Sequence, residues 1–302
     1  MCDWMRACAD LPSPLYELMK QQVLGSKAIQ TDDTPVPVLD SDLPHTRTGR
    51  IWTHVGDGEH PYTVYDYRPT RSRDGPEEFL KEFRGYLQAD AYSGYNHFYH
   101  EPERGIDEVA CWARVRRKHY EAQSSDLMRS TVMLTYIRLL YDVEGEAREQ
   151  QLKGEARRAL RRKKSKPILD DIHTYMERDR SQVLPKSPEG EAIAYTLSNW
   201  KALIRYCEDG DLETDNTGAE RGLRSVAVGL KDWMFYDSDN GGWTGAVLSS
   251  LISTAKRLGL DPFAYLRGLF ERISAHPKSR LAELLPDRWK ALRVEVEGKE
   301  GR

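Results

Sequence analysis

The chain has 302 residues, with 48 acidic and 45 basic side chains and a formal net charge of −3. This balance argues against a uniformly basic nucleic-acid binder, and the length is sufficient for a full core and for two lobes. No apolar run approaches the ~20 residues of a membrane-spanning helix, and the amino terminus shows no secretory signal. The four cysteines are scattered without metal-binding spacing, which is typical of reduced thiols in the cytosol.

Positive charge is concentrated in one part of the chain. Residues 104–166 contain 16 Lys and Arg against 9 Asp and Glu. Most of the excess lies in two clusters, R-V-R-R-K-H at 114–119 and R-R-A-L-R-R-K-K-S-K at 157–166. Such clusters are typical of surfaces that contact a phosphate backbone, although a solvated helix face explains either cluster alone equally well.

The first third of the chain predicts a helix and then a run of short strands. The pattern over 3–24 is helical after the prolines, and it then changes to the shorter period of strands. Three strands joined by Gly- and Pro-containing turns are expected to form an antiparallel meander over 27–39, 49–58 and 62–68. They are followed by a predicted helix over 76–86 and by two more predicted strands over 86–92 and 108–115.

The remainder of the chain predicts helices. The pattern from about residue 120 to 208 is helical throughout. Another helix is predicted to begin within T-D-N-T-G-A-E-R-G-L-R-S at 214–225, where Asp215, Asn216 and Thr217 can cap it. The later predictions are an extended segment at 232–236 and helices around 243–257 and 262–274.

Three acidic residues come from separate predicted elements: Asp32 from the first strand, Asp90 from the fourth strand and Glu220 from the late helix. Each has a simpler explanation, as a turn former, a strand end or half of a surface ion pair between Glu220 and Arg224. Together they match the ribonuclease-H-like arrangement, in which carboxylates hold two Mg²⁺ ions about 3.5–4 Å apart at a phosphodiester. Cations between the carboxylates would also relieve their mutual repulsion.

Several longer motifs occur along the chain. They are D-D-T-P-V-P-V-L, G-R-I-W, L-Q-A-D-A-Y-S-G-Y, C-W-A-R-V-R-R-K, D-N-T-G-A-E-R-G-L-R and G-L-D-P-F-A-Y-L. Together they resemble the IS66 family of bacterial DDE transposases. The resemblance covers nearly the whole chain, and the motifs occur in the order of the family.

This resemblance implies an α/β fold, a ribonuclease-H-like mixed sheet of the retroviral-integrase type with a large all-helical insertion and a helical C-terminal region. The domains that it implies are a helical lead at 1–25, the first part of the catalytic core at 26–120, the helical insertion at 121–208, the second part of the core at 209–258, and a C-terminal helical region and tail at 259–302.

The resemblance also implies Mg²⁺-dependent cleavage of DNA at transposon ends and strand transfer to target DNA. The implied catalytic and metal-binding residues are Asp32, Asp90 and Glu220, which would hold two Mg²⁺ ions or Mn²⁺ in their place. The residues expected to contact DNA are Arg114, Arg116, Arg117, Lys118, Arg221, Arg224 and Lys231. The expected partners are double-stranded DNA, further copies of the chain and accessory transposition proteins, without a membrane, in the bacterial cytoplasm at the nucleoid.

The chain departs from the family pattern at several positions. Asp33 stands where Glu is usual, Arg114 where His is expected, and Leu230 where a cation is expected. The usual N-terminal region that recognises DNA ends is also expected to be missing. These departures leave open a truncated, inactive remnant that binds DNA or a partner transposase without cutting, and a ribonuclease-H-like nuclease that only hydrolyses.

Two other features of the sequence are weaker candidates for sites. His97 and His100 are spaced as a metal pair could be, but a structural or surface role is expected because no third ligand lies nearby in the sequence. Trp233 could stack on an unpaired base, but packing in the core is the expected role.

Overall fold

The computed structural model describes residues 2–90 and 93–289. Two units emerge from the internal contacts of the chain. The first comprises residues 1–86, 94–106 and 217–302, and the second comprises residues 87–93 and 107–216. Ala91 and Tyr92 of the predicted fourth-strand motif lie outside the described residues, as do residues 290–302 of the predicted tail. The predicted domain limits remain predictions.

The strands form one five-stranded sheet. They are β1 (Ala28–Val38), β2 (Arg47–Val55), β3 (Thr63–Arg68), β4 (Gly85–Ala89) and β5 (Ile106–Ala110). Their order across the sheet is β3-β2-β1-β4-β5. The first three strands pair antiparallel, with Asp32 opposite Thr53 and Thr53 opposite Tyr65. The predicted meander is therefore confirmed, and β1 is a single strand although it contains Pro35 and Pro37.

The helices of the first unit come from the beginning, the first third and the end of the chain. They are α1 (Cys2–Asp10), α2 (Ser13–Leu24), α3 (Asp74–Leu80), α4 (Asn96–His100), α10 (Thr217–Trp233), α11 (Asp239–Arg257) and α12 (Pro262–Ile273). The late helix predicted from T-D-N-T-G-A-E is α10, which begins at Thr217, and the two helices predicted after it are α11 and α12.

The helical block between β5 and α10 belongs to the second unit. Its helices are α5 (Trp112–Glu121), α6 (Leu127–Glu149), α7 (Gly154–Asp179), α8 (Pro188–Ser198) and α9 (Trp200–Ile204). Apolar side chains of α6 and α7, including Ile137, Leu140, Leu169 and Ile172, are fully buried in this unit. The prediction of continuous helical structure over this block is confirmed. Among the described residues, no helix combines the length and the apolar character that crossing a bilayer requires.

Four predicted elements were wrong in part, the first being the helix over 76–86, which ends at Leu80 before β4 begins at Gly85. The strand predicted over 108–115 ends at Ala110, and α5 takes over at Trp112 because Trp112, Val115 and His119 follow a helical spacing and are buried. The segment at 232–236 is not wholly extended, since α10 continues to Trp233. The chain is also helical before its first prolines, in α1.

Side chains of β1 to β3 alternate between the two faces of the sheet. One face packs on α10 and α11, where Val36, Ile51 and Tyr65 form a core with Leu223 and Val226. The register places Asp32, Thr53 and Tyr65 on this same face.

The opposite face of the sheet is covered by shorter helices. It carries Trp52 and the buried His54, whose ring stacks on Phe79 of α3 at a centroid distance of 3.7 Å. Asp33 lies on this face because it follows Asp32 in the strand and pairs with Trp52.

Candidate active site

Asp32 faces helix α10. Its partner across the strand pair is Thr53, and a Cβ atom added to Gly222 of α10 would lie 2.9 Å from the Thr53 methyl group. Two residues before Asp32 on the same face, Gln30 contacts Gly218 of α10 in the same way. The helix that carries Glu220 therefore lies directly over the part of β1 that carries Asp32.

Glycines permit this close approach of α10 to the sheet. A side chain at Gly218 or Gly222 would overlap the side chains of Gln30 or Thr53. The approach is fixed by Tyr65, whose hydroxyl donates a hydrogen bond of 2.8 Å to the carbonyl oxygen of Gly222. Sequence reasoning missed this contact, although the spacing of four residues between the two glycines was a visible signal.

Glu220 is half-buried near the start of α10. Within the part of the chain that the structure describes, its carboxylate has no hydrogen bond or ion pair, so the surface pair with Arg224 is not formed. A carboxylate that loses part of its hydration needs a cation or hydrogen-bond donors in compensation. Glu220 is thus a suitable ligand for a cation brought to this face.

Asp32 and Asp33 have different surroundings. The Asp33 side chain is 3% exposed and accepts hydrogen bonds from Arg50 and Arg71, each at 2.9 Å. Its charge is therefore compensated within the protein. Asp32 is half-buried, and one of its carboxylate oxygens accepts a hydrogen bond of 2.8 Å from the Asp33 backbone N–H.

Asp90 directly follows β4 and is half-buried in the second unit. The charges of Asp90 and Arg114 both affect the pKa of Tyr195 in α8. Burial raises the pKa of Tyr195, the Arg114 guanidinium opposes this rise, and Asp90 adds to it. The buried Tyr195 hydroxyl and the Arg114 Nε have no hydrogen-bond partner among the described residues.

The three candidate metal ligands, Asp32, Asp90 and Glu220, are all carboxylates. Across residues 2–90 and 93–289, no group of three or more His, Cys, Asp or Glu side chains is arranged to hold a metal ion. The donors on Asp32 and Glu220 are nevertheless the hard oxygens that Mg²⁺ prefers. The half-buried Glu220 carries an uncompensated charge, and binding of Mg²⁺ by Asp32, Asp90 and Glu220 stays a prediction.

The basic residues of α5 differ in accessibility. Arg116 and Arg117 are exposed, and neither forms a hydrogen bond or ion pair with another described residue. Lys118 lies over the ring of Tyr195, with Nζ 4.9 Å from the ring centroid. Contact of these residues and of Arg114 with DNA stays a prediction.

Two arginines of the second basic cluster, at 157–166, form ion pairs inside the second unit. Arg161 is fully buried and pairs with Glu144, and Arg157 donates to both Glu144 and Glu213. The interpretation of this cluster as a phosphate-contacting surface is wrong for Arg161, because no phosphate could reach it.

The remaining sequence candidates are also located. His97 lies 3.6 Å from a Glu77 carboxylate oxygen and its ring contacts Phe98 at 4.0 Å, in agreement with a structural role. Trp233 is 46% exposed at the end of α10, so the expected core role is wrong. Cys8, Cys111 and Cys207 form no disulfide bond within the described residues.

The mixed five-stranded sheet, with a helical region following it and α10 packed on β1, is the arrangement of ribonuclease-H-like DDE transposases. The family model described as "Transposase IS66 family" matches residues 1–244, and the model described as "IS66 C-terminal element" matches residues 250–286. The chain belongs to the IS66 transposase family.

Similar proteins occur in Sinorhizobium fredii. Uncharacterized protein y4hP is 33% identical over 298 residues, which are 92% of this chain and 53% of that protein. Uncharacterized protein y4jD is 32% identical over 296 residues, which are 93% of this chain and 57% of that protein. The chain therefore spans about half the length of these relatives.

Proposed function

We propose that Asp32, Asp90 and Glu220 form a metal-dependent site that cleaves DNA phosphodiesters at transposon ends and joins the freed strand to target DNA. The observation that carries this proposal is the packing of α10 over the face of β1 that bears Asp32. Membership of the IS66 family and the position of β4 beside β1 in the sheet order support the assignment of Asp90.

In the proposed reaction, the three carboxylates bind the metal and do not attack DNA. Two Mg²⁺ ions, when bound, supply activation of the attacking oxygen and stabilisation of the leaving oxygen. Water first cleaves the bond between phosphorus and the 3′ oxygen at the end of the element, which leaves a 3′-hydroxyl. That hydroxyl then attacks a target phosphodiester, and the target's own 3′ oxygen leaves.

The proposed DNA contacts are made by exposed cations of α10 and α5. Arg221 and Arg224 extend from the exposed side of the helix that carries Glu220, where they can contact phosphate oxygens. Lys231 continues this side of α10, and Arg116 and Arg117 provide exposed cations on α5. Double-stranded DNA, further copies of the chain and accessory proteins are the proposed partners.

The proposal is tested by incubating labelled duplexes that carry transposon ends with the chain and Mg²⁺ or Mn²⁺. Asp32→Asn, Asp90→Asn and Glu220→Gln each remove one negative charge while keeping the size of the side chain. All three are expected to abolish metal-dependent nicking and joining. Asp232→Asn, which removes an exposed carboxylate from the last turn of α10, is the matched control and should remain active.

The products distinguish the alternatives. Joined strands that depend on all three acids support transposition, whereas nicking without joining supports a nuclease that only hydrolyses. DNA binding without either product supports a chain that binds DNA, or a partner transposase, without cutting. Nicking that survives all three substitutions would contradict the assigned site.

A further inference from the structure

The solvent side of α10 carries three cations beyond Glu220. Arg221, Arg224 and Lys231 are spaced by three and seven residues, so they lie on one side of the helix. All three are exposed, and in the described part of the chain none forms a hydrogen bond or an ion pair. This row of cations is available to a polyanion.

An apolar tip follows at the end of the same helix. We use this name for residues 233–235, in which Trp233 is 46%, Met234 64% and Phe235 37% exposed. Three consecutive large apolar side chains at the surface form a contiguous apolar patch of the kind that marks an interaction site.

The apolar tip is held in a defined position. The Trp233 ring lies so close over Gly229 that any larger residue there would overlap it. The next residue, Tyr236, donates its N–H to the Pro37 carbonyl oxygen at 2.9 Å and accepts from the Leu39 N–H at 2.8 Å. The tip is therefore anchored to the end of β1, the strand that carries Asp32.

Met234 adopts a left-handed backbone conformation, with φ of 64°. This conformation favours glycine, which commonly occupies it where a helix ends. Met234 holds it through a hydrogen bond of 2.8 Å from its N–H to the Leu230 carbonyl oxygen. A strained backbone that presents an exposed apolar side chain is typical of a functional position.

We propose that the apolar tip stacks on a base that is unpaired in the bound DNA duplex, while the row of cations holds the adjoining phosphates. Every base has a face that an aromatic ring can stack on, and apolar side chains inserted between bases stabilise an unstacked step. Nucleic acid supplies both the negative charge and the aromatic surface that this part of α10 complements. The proposal rests on the proposed DNA-cleaving function and adds a distortion of the DNA beside the cleaved bond.

A second copy of the chain is a less suitable occupant. Two copies that met through this surface would bring Arg221, Arg224 and Lys231 close to the same residues of the other copy. Such like-charge contacts oppose association unless acidic groups lie between them. DNA removes this cost because its phosphates neutralise the cations.

The test compares affinities for two labelled duplexes of the same sequence, one fully paired and one with an abasic site opposite a single base. Divalent metal is omitted so that no strand is cut. Wild-type protein is expected to bind the duplex with the unpaired base on the order of tenfold more tightly. Trp233→Ala should bring this ratio close to one, whereas Trp4→Ala, which removes another exposed Trp from α1, should leave it unchanged.

The Met234→Gly variant shows whether a lower ratio of affinities comes from loss of an apolar side chain of the tip or from misfolding of the protein. Glycine suits the backbone conformation at this position, so the variant should stay folded and still lower the ratio of affinities. A wild-type ratio near one, in a protein that binds and nicks DNA, would overturn this inference and leave the proposed function standing. A wild-type protein that binds neither duplex would overturn both.

Oligomeric state provides the remaining comparison, measured by size-exclusion chromatography with light scattering. If Trp233→Ala dissociates a dimer and leaves the ratio of affinities unchanged, the apolar tip binds a second copy and the inference is wrong. An unchanged oligomeric state with a reduced ratio supports base stacking.

Discussion

Glu144 and Arg161 form a two-bond ion pair in the interior of the second unit. Nε and Nη2 of Arg161 donate to the two carboxylate oxygens of Glu144 at 2.7 and 2.9 Å. The same guanidinium donates to the carbonyl oxygens of Tyr206, Asp209 and Leu212 at 2.7 to 2.9 Å. Arg161 thus fixes the segment that precedes α10.

Loss of this guanidinium should destabilise the protein strongly. Arg161→Met removes a donor from three carbonyl groups and leaves the buried Glu144 carboxylate paired with Arg157 alone, so we expect the free energy of unfolding to fall by about 3–5 kcal/mol. Arg162→Met is the matched control, because that side chain is 59% exposed, and we expect a change within about 0.5 kcal/mol. Urea unfolding followed by circular dichroism measures both, and equal effects would contradict the structural role.

The close approach of α10 to the sheet predicts different outcomes for two glycines. Gly222→Ala places a methyl group 2.9 Å from the Thr53 side chain, so α10 must shift and DNA nicking should fall at least severalfold. Gly145→Ala in α6 meets no atom within 4 Å and should stabilise the protein by up to about 1 kcal/mol. Nicking assays and thermal unfolding of the two variants test this contrast, which fails if Gly222→Ala retains full activity.

Salt dependence should reveal the phosphate contacts of α10. Each contact with duplex DNA contributes about 0.9 to the slope of log K against log salt concentration. Arg224→Ala is expected to reduce the steepness by about this amount for one lost contact. Arg267→Ala removes the same charge from an exposed residue of α12 and should leave the slope unchanged. Equal slopes for wild type and Arg224→Ala would refute the contact.

The burial of His54 is expected to make the protein less stable in acid. Burial is the main cause that lowers its pKa to about 3, and the charges of Arg68 and Lys20 add to it. The folded protein therefore keeps the ring neutral, whereas the unfolded chain takes up a proton below about pH 6.5. As pH falls from 6.5 toward 3, the free energy of unfolding should decrease by up to about 1.4 kcal/mol per pH unit.

Two His→Gln variants check this linkage. His54→Gln cannot take up a proton, so its stability should fall less steeply between pH 6.5 and 5 than that of wild type. His45→Gln alters an exposed histidine and should leave the slope as it is. Chemical unfolding at a series of pH values measures these slopes, and identical slopes for His54→Gln and wild type would rule out a contribution from His54.

The meander and α10 were predictable because their signals are local. Short strand-like segments separated by Gly- and Pro-containing turns predict β1 to β3, and capping residues before an apolar spacing predict the start of α10. The end of β5 was not predictable in this way. The run from Val109 to Trp112 is continuously apolar, and such a run fits a strand and a helix equally well.

Burial of charge depends on partners that lie far away in the sequence. The basic cluster containing Arg161 resembles a solvated surface until Glu144, on another helix, is known to face it. Likewise, the alternation of side chains along a strand places Asp32 and Asp33 on opposite faces of β1. Only the position of α10 shows that Asp32 is on the face that packs against this helix. The general tendency of aromatic side chains to pack in the core predicts a buried Trp233, and the sequence carries no local signal of its exposure.

The hydrogen-bond network around Arg161 joins residues that are synthesised at different times. Synthesis proceeds from the amino terminus, so Glu144 and Arg161 leave the ribosome before Tyr206, Asp209 and Leu212. Glu144 and Arg161 are thus already synthesised when the carbonyl groups that accept hydrogen bonds from Arg161 emerge. All of these groups are therefore synthesised before α10 and Glu220.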